Sequence, residues 1–114
     1  MKLYSLVLND NNYFIKQYVK DNNAEIVKEQ TYRPNEYFNY PNLEEIKMEM
    51  KNIGAEALIL NDIHDLQDIN TFEEFINQAE KNNIEVIFAS QKLKTSKKYT
   101  IRELVFYLSR NFYN

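Results

Sequence analysis

Short apolar runs that alternate with longer stretches of helical spacing constrain this chain most. That rhythm suits a sheet of parallel strands whose crossovers are helices. The runs are residues 3–8, 24–28, 57–60 and 84–89. Ala57-Leu58-Ile59-Leu60 is apolar throughout, as a strand covered on both faces requires. The second run is short and polar enough for a sheet edge. Between the runs, Phe14, Ile15, Tyr18 and Val19 share one face of a helix over 12–22. Asn42-Leu43-Glu44-Glu45 has the form of a helix cap with an acid three residues on, and Leu43, Ile46, Met50 and Ile53 then make one stripe up to Gly54, the single glycine. Asn70-Thr71-Phe72-Glu73 repeats that capping logic ahead of Phe72, Phe75, Ile76 and Ala79. Thr100-Ile101-Arg102-Glu103 opens a last helix with Ile101, Leu104, Val105, Leu108 and Phe112 on its stripe. Residues 29–40, with Pro34 and the aromatics Tyr32, Tyr37, Phe38 and Tyr40, read as a long connection.

The expectation is one α/β domain over residues 1–114, three-layered, with a mostly parallel four-stranded sheet and helices on both faces. Aromatic content of 14% is enough to fill one core and leave rings near the surface. A net charge of -3 removes any general attraction to phosphate backbones, so nucleic-acid binding is not expected without a partner. The absence of Cys excludes disulfides, thiolate metal sites and thiol nucleophiles, and fits a cytoplasmic setting. The first apolar run breaks at Asn9-Asp10-Asn11-Asn12, too early for a signal core, and no run approaches the ~20 residues that span a bilayer.

Read as β-α-β-loop-α-β-α-β-α, the chain resembles the catalytic domain of the serine recombinases, the resolvases and invertases, over nearly its full length. Tyr4-Ser5-Leu6-Val7-Leu8 is similar to that family's first-strand motif Tyr-x-Arg-Val-Ser. Tyr40-Pro41-Asn42-Leu43 is similar to its Arg-Pro-x-Leu, and residues 58–68 to its apolar strand followed by Asp-Arg-Leu-x-Arg, with Leu66 keeping the leucine. The resemblance implies a resolvase-like fold without its enzyme. Leu8 stands at the nucleophilic serine, Leu6 at the first active-site arginine, and Tyr40, Asp65 and Asp68 at arginines that hold the scissile phosphate. An aspartate repels a phosphate where an arginine would clamp it, so phosphoryl transfer is not expected. With the sequence ending at Asn114, the family's separate DNA-binding domain is not expected.

The function expected is a non-catalytic binding or regulatory module acting through protein contacts, with no cofactor. The last helix carries Phe106, Tyr107 and Tyr113 off its inward stripe and is apolar nearly all round, so it needs a second covering surface. The resemblance points the same way, since the family's helix after the fourth strand forms its dimer contact. A homodimer through this helix is the expected partnership, and another protein partner is the variant of it.

A different reading gathers Asp10, Asp62 and Asp65 beyond the strand ends, with Asn9, His64 and Ser90 nearby, as hard-cation ligands of a metal-dependent phosphoryl-transfer or receiver-like domain. Against it, Asp and Asn are common wherever a strand turns into a helix. Lys92, Lys94, Lys97 and Lys98 offer an accessory contact to nucleic acid, although lysines in a polar loop are usually just solvated.

Overall fold

In the computed structural model, residues 1–8, 10–32, 42–66 and 69–95 are described. The strands are β1 (Lys2–Leu8), β2 (Glu25–Tyr32), β3 (Ala57–Leu60), β4 (Val86–Phe88) and β5 (Leu93–Lys94). The helices are α1 (Tyr13–Asp21), α2 (Leu43–Ile53) and α3 (Ile69–Lys81), and a 3₁₀ turn, Ile63–Leu66, stands between β3 and α3. The sheet order is β2-β1-β3-β4-β5, with the first four strands mutually parallel and β5 antiparallel to β4. Among the described residues no helix is long and apolar enough to cross a membrane.

Alternation along each strand divides the core in two. Tyr4, Leu6, Leu8, Leu58, Leu60, Val86 and Phe88 pack with Leu43, Ile46 and Met50 of α2 and Phe72, Phe75 and Ala79 of α3. Leu3, Val7, Ala57, Ile59, Ile87 and Ala89 pack with Ile15 and Tyr18 of α1. Asn42 accepts from the backbone N–H groups of Glu44 (2.9 Å) and Glu45 (3.3 Å), and Gly54 ends α2 with a left-handed φ of 73°. Both ends of that helix are therefore where local sequence places them.

The structure departs from the sequence reading at several points. Among the described residues the sheet has five strands where four are expected. Lys92 turns back with φ 55°, and Leu93, 2% exposed, buries itself in a two-residue pairing with Ile87 and Phe88 that carries no periodicity. β2 runs on to Tyr32 because the register breaks between Leu3 and Tyr4. Leu3 faces Ile26 and Tyr4 faces Lys28, so Val27 is the extra residue and the alternation is interrupted. Beyond the break, Tyr32 packs on the α2–α3 side of the sheet. Phe14 and Ile53, placed on inward stripes by spacing, are 39% and 38% exposed, because each lies at the end of its helix. α3 starts at Ile69, ahead of the Asn70 cap, with Ile69 itself packed on the core. The last helix expected over 100–112, with Phe106, Tyr107 and Tyr113, lies outside the described residues.

Candidate functional site

Parallel sheets bind ligands beyond the carboxyl ends of their strands, where neighbouring connections leave in opposite directions. That point lies between β1, whose chain passes through α1 to the outer strand β2, and β3, whose chain passes through α3 to β4. The residues there are Leu8 at the end of β1 and Asp10 after it, Asn61 to Asp65 after β3, and Ser90 and Gln91 after β4. None of these is Lys or Arg.

Leu8, at the place the family motif gives its nucleophile, is fully buried in the α2–α3 cluster, as is Leu6. Neither side chain offers a hydroxyl or a charge, and solvent reaches neither. Asp10 is exposed, with φ 58° in the turn that leads into α1.

Asn61 is fully buried and crosses from the end of β3 to the start of α1. Its Oδ1 accepts from the backbone N–H groups of Phe14 (2.7 Å) and Ile15 (3.2 Å), two of the orphan donors that every helix N-terminus carries. Asn12, the residue before α1, makes no side-chain cap, so the cap comes from a residue distant in sequence. The Nδ2 of Asn61 is buried with no partner. The place where an anion could meet the amides of α1 is thus taken by the chain's own amide oxygen.

Asp62 and Asp65 clasp the 3₁₀ turn. Asp62 Oδ1 accepts from the His64 N–H at 2.8 Å and from Gln91 Nε2 at 3.1 Å, and lies 2.7 Å from His64 Nδ1. Asp65 Oδ2 accepts from the Asp62 N–H at 3.3 Å, and Gln91 Oε1 accepts from the Ile63 N–H at 3.1 Å. Burial pushes the Asp62 carboxyl up, but the bonds from His64, Gln91 and Ser90 outweigh it and hold the group below the ordinary carboxylate range. Asp65 has fewer donors. Burial first, and the Asp62 charge second, push it up to about 6. Among the described residues no three His, Asp or Glu side chains converge so as to hold a metal ion. Asp62 and Asp65 meet as a reciprocal turn cap, and the geometry gives the cation reading no support.

A second polar cluster lies on the α2 side of β1. The buried Tyr4 places its hydroxyl 2.9 Å from Glu49 Oε2 and 2.6 Å from Gln30 Oε1, and Glu49 also pairs with Lys28. The Tyr4 hydroxyl is the donor and has one proton, which is shared between two acceptors, the Gln30 amide oxygen and the Glu49 carboxylate. Burial, then the bond to Glu49, push the Tyr4 phenol well above its ordinary value. The bond from Lys28, then that from Tyr4, hold Glu49 below the ordinary carboxylate range. Tyr4 joins α2 to β1 and is held protonated, which removes it as a nucleophile.

Asn61 and Gln91 organise this region and neither stands out in the sequence. The only local hint is that a polar Asn directly after a fully apolar strand must find partners if it is buried. Asn9, Tyr40, Asp68, Lys97 and Lys98 lie outside the described residues, as do Phe106, Tyr107 and Tyr113.

A crystal structure of the N-terminal catalytic domain of TP901-1 integrase is similar to this chain, with a TM-score of 0.59 over 96% of this chain and 92% of that one, at 12% sequence identity. No protein-family model matches the chain, and no curated protein does. The likeness is one of fold, and it agrees with the recombinase catalytic-domain architecture that the sequence motifs imply.

Proposed function

On the premise of a recombinase catalytic-domain fold, we propose that this chain is a binding or regulatory module that works through protein contacts and does not transfer phosphoryl groups. The observation that carries the reading is the state of the strand ends. Leu8 is buried where the motif calls for a nucleophile, and at the end of β3 the oxygens of Asn61 and Asp62 are taken up by donors of the chain itself. Recombinase-type transfer needs an exposed hydroxyl and cations to neutralise the phosphate as charge builds. Here the carboxylate of Asp62 stands among the strand ends, and it repels one.

The contact proposed is self-association through the C-terminal rings Phe106, Tyr107 and Tyr113, which lie off the inward stripe of the last expected helix. Sedimentation velocity at roughly tens of micromolar, a range suited to a weak-to-moderate complex, shows a dimer that Phe106→Glu or Tyr113→Glu dissociates. A monomer across that range removes the self-association. Cleavage of supercoiled or linear DNA by the purified chain removes the non-catalytic reading altogether.

A further inference from the structure

The hydrogen bonds around the turn after β3 are divided unequally between two carboxylates. Asp62 accepts from the backbone and ring of His64, from Gln91 and from Ser90, whereas Asp65 accepts one bond, at 3.3 Å, from the Asp62 N–H. The same turn is tied to the corner between β4 and β5 by the bond from the Ile63 N–H to Gln91 Oε1, so Gln91 holds both Ile63 and Asp62. We propose that this turn is a proton-operated clasp: with Asp65 neutral it is locked to the β4–β5 corner through Gln91, and with Asp65 ionised it opens.

The physical cause is repulsion across one turn. Asp62 keeps its charge because four groups donate to it, so the half-buried Asp65 must carry a second negative charge beside it when it ionises. Of the other charged groups, the His64 ring offsets this only in part, being outweighed by burial and by the Asp62 charge. His64 lies on the same turn, bonded to Asp62 and exposed at its ring. The β4–β5 corner supplies the neutral Ser90 and Gln91, with Lys92 exposed beyond them. The end of β3 supplies the neutral Asn61, and the first turns of α3 carry Glu73 and Glu74, both exposed. The clasp sits beyond the carboxyl ends of β3 and β4, where ligands of such folds bind, so opening it changes the surface offered to a partner there.

The sign follows from linkage. Asp65 binds its proton more tightly in the closed turn, at about 6, than in an open, hydrated one. With an ordinary carboxyl near 3.9 in the open turn, lowering the pH from about 7.5 to about 5 disfavours opening about tenfold.

The test is hydrogen exchange at the Ile63 amide across that range, corrected for the intrinsic pH dependence of exchange, with a carbon NMR titration of the aspartate carboxyls. Protection at Ile63 rises about tenfold on acidification, and one aspartate titrates near 6. In Asp65→Asn, which is neutral at every pH, Ile63 stays at the high level throughout. An aspartate set that titrates wholly near 4, or a pH-dependent protection that persists in Asp65→Asn, overturns the proposal. If Asp65→Asn does not fold, the carboxyl titration of the parent chain decides alone.

Discussion

Replacing Asn61 by alanine tests the idea that the first helix is anchored from across the sheet. The side chain is buried and its Oδ1 caps both Phe14 and Ile15. Removing it leaves the Ile15 amide buried and unpaired, a desolvation cost of about 1–3 kcal/mol. The Phe14 amide lies nearer solvent and loses a bond of about 1 kcal/mol net. Against these stands the loss of the unpartnered Nδ2, whose removal returns about 1 kcal/mol. The net expectation is a destabilisation of about 1–3 kcal/mol, read as a lower urea midpoint with unchanged slope. Asn42→Ala is the internal reference, since Asn42 caps α2 in the same way but at the surface, where such caps are worth about 1 kcal/mol. Should Asn61→Ala cost no more than Asn42→Ala, the premise that burial raises the value of this cap is refuted.

Leu8→Ser restores the residue type of the family's nucleophile and is expected to cost about 3–5 kcal/mol through a cavity and a buried hydroxyl, with no gain of DNA cleavage; any strand breakage in a supercoiled-plasmid assay contradicts it. Ser5→Ala removes a buried hydroxyl that has no partner, so calorimetry should show unchanged or higher stability, by up to about 1 kcal/mol. Gly54→Ala is expected to lose about 1 kcal/mol purely from its left-handed backbone, since a Cβ there meets nothing within 4 Å; an unchanged denaturation midpoint rules that out. Lowering the pH from about 7.5 to about 5 should protect the Ile63 amide about tenfold, as hydrogen exchange reads.

Local chemistry alone was enough for much of this molecule. Asn42 and Gly54 fix the ends of α2 because a cap and a left-handed stop are properties of a few consecutive residues. Ala57 to Leu60 form a central strand because four adjacent apolar residues have no other way to be covered on both sides. The same local pattern sets Leu6 and Leu8 where the resembled recombinase motif has an arginine and a serine, which is the sequence basis of the non-catalytic proposal.

Other features depend on groups far apart in the chain, and spacing cannot reveal them. The break opposite Val27 disguises the second half of β2, and β5 exists because Leu93 finds a place beside Phe88. Asp62 and Asp65 look like a cation site in sequence and act as a turn cap in space, because the donors that occupy Asp62 include Gln91 from another strand end. Asn61 takes its meaning from α1, 46 residues away. Sequence periodicity decided which residues face inward; only the closed sheet decided which polar groups would meet there, since hydrogen bonds between distant segments form once the strands have been brought side by side.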